Sequence, residues 1–290
     1  SGNLNSGDAT SLTSGGSTDV VGSVDSGDTL DLDIGDNLGV EGDVHSANDL
    51  TAEVASDVSI DGTVDSSGLI DLVAGGNTDI DGDMTASKTL DADVTGDLNL
   101  SGNLNSGDAT SLTSGGSTNV VGSVDSGDTL DFNIGDNLGI EGDVKSANDL
   151  TADVANDVSI DGTVDSSGLI ELVAGGNTDI QGDMIASKTL DADVSGDINL
   201  SGNLNSGDAT SLTSGGSTDV VGSIDSGDTF DLDIGSNLGI AGDVKSANDL
   251  TADVANDVSI DGTVDSSGLI ELVAGGNTDI QGDMTASKTL

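Results

Sequence analysis

Apolar residues return at every second position along this chain, in short runs separated by small polar residues. Between Ser17 and Asp36 they are Val20, Val24, Leu30, Leu32 and Ile34; between Asp57 and Gly76 they are Ile60, Val64, Ile70, Leu72 and Ala74. The next stretch repeats the arrangement with Ile80, Met84, Leu90, Ala92 and Val94. If Ser17 is position 1 of a frame, positions 4, 8, 14, 16 and 18 point one way, while 5, 7, 9, 15 and 17 carry mostly Asp, Ser, Thr, Asn or Glu. Period two predicts strands with one buried and one wet face. Helical spacing does not recur. Clusters such as Ser26-Gly27-Asp28 and Gly75-Gly76-Asn77 separate two strand runs per frame and have the chemistry of turns.

The frame is 20 residues long, and five frames make a block of 100 that begins again at Ser101 and Ser201. Blocks 1–100, 101–200 and 201–290 are nearly identical, so residues 1–290 read as one continuous array with no separate domain. A fixed period of this size marks a solenoid and overrides any domain count taken from length. The predicted fold is all-β: a parallel β-helix, or β-solenoid, of about 14.5 coils over 290 residues. With parallel strands about 4.8 Å apart, that is a rod of roughly 70 Å. Position 6 is glycine fifteen times, including Gly22, Gly42, Gly62, Gly82 and Gly102. In a flattened, two-sided coil this glycine would face the column Leu32, Ala52, Leu72, Ala92, Leu112 and leave it room. In a three-sided coil it would sit at a bend. Periodicity alone allows both. The absence of proline fits either, since a stacked strand needs its N–H for the ladder.

Charge changes the picture next. Fifty-four acidic residues against five lysines give a net charge of −49, which read alone would suggest a disordered acidic chain. Spread over the coils it becomes a coating on outward columns. Five scattered lysines cannot form the basic face that nucleic acid requires, and anionic membrane is disfavoured by the same sign. No apolar run approaches the roughly 20 residues needed to span a bilayer, so membrane insertion is not expected. No signal-peptide pattern opens the chain. Without cysteine there is no disulfide, thiolate metal site or thiol nucleophile.

Gly96-Asp97-Leu98-Asn99-Leu100-Ser101-Gly102-Asn103-Leu104-Asn105-Ser106-Gly107 and Gly82-Asp83-Met84-Thr85-Ala86-Ser87 resemble the haemagglutinin-type repeats of filamentous haemagglutinin-like adhesins. That resemblance covers the whole chain and implies a bacterial exoprotein of the two-partner secretion type, extracellular or at the cell surface, built as a right-handed parallel β-helix. Right-handedness also follows from the general crossover rule. It implies no catalytic residue. The family's amino-terminal secretion domain is absent here.

The acidic columns are the main candidates for chemistry. Asp31, Asp71 and Asp91 share one outward column, and Asp33, Glu53 and Asp93 share the next but one. Unit charges about 4.8 Å apart in water repel by roughly 0.9 kcal/mol, which calcium, a hard cation, would relieve. The alternative is a solvated acidic face that keeps a long fibre soluble. Asp79 and Asp81 join the candidates because Asn77-Thr78-Asp79-Ile80-Asp81-Gly82 mimics the first half of an EF-hand loop. Lys88 stands where that loop needs a bidentate glutamate, Ile80 belongs to an inward column, and Gln181 replaces Asp81 in the second block, so a true EF-hand is not expected.

His45 is matched by Lys145 and Lys245 and reads as a surface residue, not a base or ligand. Phe132, Phe230, Met84, Met184 and Met284 occupy inward columns and read as packing. Lys88, Lys188 and Lys288 recur at a turn beside acidic columns, where a bridge to a neighbouring coil is expected to stabilise little. No residue set suits general acid–base or nucleophilic work, so neither an enzyme nor an organic cofactor is expected. The functional expectation is a structural shaft of an adhesin or matrix filament. It would self-associate end to end or laterally, with any cell-surface or matrix ligand held by regions outside this chain. A cation- or ligand-binding acidic module, with ice binding a minor form, is the alternative. The chain starts at the fifth position of a coil and stops at the fourteenth, which suits a segment of a longer array.

Overall fold

A computed structural model of the protein describes residues 2–289. All regular structure among them is β, as a parallel β-solenoid of about 14 turns of 20 residues. Each turn contributes three strands, not two. One turn runs Val24–Ser26, Leu30–Ile34 and Leu38–Val40, and the next begins at Val44. We call these faces one, two and three. The run read as continuous through positions 4 to 9 breaks at the position-6 glycine: Leu38–Val40 ends on face three, and Val44–Ser46 starts on face one. The coil is therefore three-sided, and the glycine sits at a bend.

The chain divides into two compact units, residues 1–145 and 146–290. In the first unit, face two stacks strands from Thr10–Ser14 to Leu130–Ile134, each parallel to the next and offset by one turn. Leu30, Leu32 and Ile34 pair with Leu50, Ala52 and Val54, so like positions lie over like. Face three there runs from Thr18–Val20 to Leu138–Ile140. The second unit repeats the plan, its face two running from Leu150–Val154 to Ile270–Ala274 and its face one from Val164–Ser166 to Met284–Ala286.

Inward positions are 4, 8, 14, 16 and 18, as the alternation predicts, and also 2 and 10. Leu38, Val58 and Leu98 hold position 2, and all are buried. Position 10 is serine in most turns; Ser26, Ser46 and Ser66 are fully buried rather than lying in exposed turns. Their hydroxyls satisfy turn carbonyls: Ser26 Oγ donates to Asp8 O at 3.1 Å or Thr29 O at 2.8 Å, and Ser46 Oγ to Asp28 O or Asp49 O, both at 2.9 Å. Such burial is tolerable because the hydroxyl keeps a partner. Phe132 stacks on Leu112, and both are buried, as are Phe230, Met84 and Met184. Interior gaps, beside Met84 in one unit and Met284 in the other, measure about 10 Å³. That is at the lower limit for a single water, so these gaps hold no ligand.

The position-6 glycines are held by stacking. A Cβ on Gly62 would lie 2.6 Å from the carbonyl carbon of Gly42, and one on Gly82 would lie 2.8 Å from that of Gly62. Both obstacles are backbone, so any side chain would push the turns apart at the bend.

Candidate functional site

Each corner ends on a residue just before a strand, at position 1, 7 or 13. The following strand residue bonds outward to the next turn, as Val24 N does to Asp43 O at 2.9 Å. At positions 1 and 7 the corner residue's own N–H points back to the preceding turn, where a polar side chain can receive it. At position 7, Asp43 Oδ1 accepts from Thr63 N at 2.9 Å, Asp83 Oδ1 from Asn103 N at 2.7 Å, and Asn103 Oδ1 from Ser123 N at 3.0 Å. At position 1, Asp57 accepts from Asn77 N at 2.8 Å, Asn77 from Asp97 N at 3.0 Å, and Asp97 from Ser117 N at 2.9 Å. The second unit repeats the ladder through Asp157, Asn177 and Asp197. These side chains do what an N-cap does for a helix, supplying an acceptor to an amide that the backbone leaves unpaired.

A third corner carries a clip once per block. Asp49 Oδ1 accepts from Leu69 N at 3.1 Å and also faces Lys88 Nζ at 3.6 Å. The lysine does not bridge to the adjacent turn but reaches past it, over Gly68, where a Cβ would collide with Asp49. Asp149 with Lys188 and Asp249 with Lys288 repeat the clip at 3.4 and 3.5 Å. The Leu169 and Leu269 N–H groups, and then the lysines, hold the Asp149 and Asp249 carboxyls below the ordinary 3.8. Asp243 is lowered by the N–H and then the hydroxyl of Thr263.

The sequence candidates lie elsewhere. Asp31, Asp33, Asp71, Asp79, Asp81, Asp91 and Asp93 are all exposed. Asp71 pairs in register with Asp91, but Thr51 separates Asp31 from Asp71 and Val73 separates Glu53 from Asp93. Asp79 accepts from Asn99 Nδ2 at 2.8 Å, and Asp81 from Ser101 Oγ at 3.4 Å. Among the described residues, no three acidic or imidazole groups converge on a point that would hold a metal ion. His45 is a surface residue with Nδ1 3.0 Å from Asp65 Oδ2, in a column between Asp25 and Asp65; Lys245 faces Asp225 at 3.9 Å in the equivalent column.

Face three also carries concave surface features. On face three the outward residues Asp19, Gly39 and Ser59 lie side by side in successive turns, and Val21, Glu41 and Asp61 follow two residues later. The missing side chain at Gly39 leaves a notch of about 280 Å³ between the two rows; its counterpart at Gly239 measures about 290 Å³.

Comparison with protein-family models, curated proteins and solved structures gives no match. The chemical reading of the surface therefore starts from the chain's own geometry. What that geometry can do chemically is narrow: it pairs backbone amides, places carboxylates in ladders and presents small notches. The corner acceptors Asp43, Asp57, Asp83 and Asp97 were not among the sequence candidates. Their signal was present in the restriction of positions 1 and 7 to small polar side chains, but charge drew attention to the faces.

Proposed function

We propose that the chain is structural: the β-solenoid shaft of an extracellular bacterial adhesin or self-associating matrix filament, with no catalytic role. One observation carries this reading. Polar side chains at positions 1 and 7 bond amides of the next turn, so one turn supplies part of the template for its successor. A packed interior and a carboxylate coat suit a soluble spacer. Likeness of the Gly96–Gly107 stretch to filamentous haemagglutinin-type repeats supports the extracellular setting and the adhesin class.

A display experiment tests it. The chain is inserted between an outer-membrane anchor and an epitope as residues 1–100, 1–200 or 1–290. Each block of five turns should raise the epitope by about 24 Å, at about 4.8 Å per turn, measured by immunogold distance from the membrane. Epitope height independent of block number overturns the shaft reading. Adhesion of cells to the isolated chain, without any terminal domain, would favour a ligand-binding module instead.

A further inference from the structure

The notch at Gly39 has no explanation in the fold. Unlike the bend glycines, which fall between strands, Gly39 lies in mid-strand, in Leu38–Val40, and it has no positive φ that would call for glycine. The one close neighbour of a Cβ there would be Asp19 Oδ1, at 2.9 Å, the free end of an exposed side chain that can swing away; the nearest backbone atom, Thr18 O, is 4.0 Å off. Glycine inside a strand weakens it and often marks close approach by a ligand or another chain. The residue nevertheless recurs as Gly39, Gly139 and Gly239.

What surrounds the notch has a definite chemistry. Val21 and Val221 form part of the wall and are 45% and 64% exposed, large values for apolar side chains beside a recess. Around the first notch stand Asp19, Glu41 and Asp61, none of which forms an ion pair among the described residues. Around the second stand Asp219 and Asp261, with Ala241 in place of the glutamate. An apolar wall beneath a carboxylate rim suits a side chain with an aliphatic stem and a cationic head. The three carboxylates around the first notch match in number the three N–H donors of a compact ammonium. At this rim the acidic face of a second copy would meet like charge, so a basic partner is favoured here.

We propose that the notches at Gly39 and Gly239 each receive a lysine side chain presented by a basic partner protein. This goes beyond the shaft reading: a shaft without partners needs no notch, and the partner could dock whether or not the array projects a terminal domain.

The test follows backbone amide shifts of the full chain by NMR in about 0.15 M salt, where surface attraction is screened beyond about 8 Å. The probe is acetyl-Gly-Lys-Gly-amide. Two analogues replace lysine by norleucine, which keeps the stem, and by diaminopropionate, which keeps the charge. Shifts should centre on Gly39 and Gly239, with binding severalfold tighter at Gly39, and both analogues should bind at least about ten-fold more weakly. Gly39→Thr with Gly239→Thr should abolish the local shifts while leaving the melting temperature unchanged or raised. Gly82→Thr should lower it, which separates a dispensable glycine from a required one.

Equal binding of the diaminopropionate peptide, or equal shifts along the Asp31, Asp71 and Asp91 column, would reduce the effect to a diffuse acidic field and overturn the proposal. So would a loss of stability in Gly39→Thr as large as that in Gly82→Thr. Spermidine binding at Gly39 as tightly as the lysine peptide would assign the notch to a free polyamine instead of a protein.

Discussion

Two neighbouring turns of the first unit follow the same backbone path over very different interiors. Between Met84 and Leu100 the inward residues are Met84, Ala86, Leu90, Ala92, Val94, Leu98 and Leu100, with no hydroxyl among them. One turn later they are Leu104, Ser106, Thr110, Leu112, Ser114, Thr118 and Val120. Four of those seven carry hydroxyls, and the turn closes because they pair across corners. Ser106 Oγ lies 2.6 Å from Thr110 Oγ1 and donates to Asp108 O at 2.7 Å, while Thr118 Oγ1 donates to Ser114 Oγ at 2.9 Å. The strands of the two turns pair in register throughout, Leu90 with Thr110 and Val94 with Ser114. The corner ladders and strand pairing thus set the path, and the interior must only fill space and leave no polar group unpaired.

The sharpest way to break that comparison is to move one hydroxyl without its partner. Leu90→Thr places Thr where Ala86 offers no oxygen, losing apolar burial and stranding a hydroxyl. It should cost about 3 kcal/mol by urea denaturation. Adding Ala86→Ser recreates the Ser106–Thr110 pair one turn earlier and should recover about 1 kcal/mol. No recovery would show that the polar turn depends on more than local pairing.

A smaller effect of opposite sign is expected at Thr78. This side chain is buried between Val58 and Leu98, and its hydroxyl has no partner, unlike those of Thr110 and Thr118. Thr78→Val keeps the shape and removes the unpaired group, so it should stabilise by about 1 kcal/mol. Destabilisation would mean that the hydroxyl is satisfied after all.

The smallest effect concerns the exposed clip, seen in the pH dependence of melting. Asp149 is held below 3.8 in the folded chain by Leu169 N–H and then Lys188. A depressed folded value means that its ionised form stabilises the fold above the unfolded value and that this contribution is lost as pH falls through the folded one. Asp149→Asn should therefore melt slightly below the parent at neutral pH, and the difference should shrink progressively as the pH falls through and below the ordinary carboxylate range. A difference that persists in acid would assign the role to shape rather than charge. Protonating the other carboxylates relieves repulsion in both proteins alike and cancels from the comparison.

Much of this was legible in the chain, and the misses share one cause. Alternation at Val24, Leu30, Leu32 and Ile34 gave the inward columns, and the recurrence of Gly22, Gly42 and Gly62 gave the turn length. Ser26 was read as part of a turn cluster because serine favours turns, yet it and its equivalent Ser46 lie at strand ends with hydroxyls folded back onto turn carbonyls. The polar Thr78 and Thr118 obscured position 2 as a buried column. The candidates Asp31, Asp71 and Asp91 were correctly placed outward. Asp43 and Asp83 escaped notice because their partners are amides 20 residues away, a relation that exists only once the turns are stacked.

By itself, then, the sequence determined the period, the strand character and the stacking of like on like. A 20-residue repeat with alternating polarity can bury its apolar face only against its own copies. Tertiary structure alone decided that the coil has three sides. Alternation records which side of the backbone a residue occupies and is silent on where the backbone bends. It also decided which carboxylates are structural, because an aspartate's role depends on whether the next turn presents it with an unpaired amide or with water.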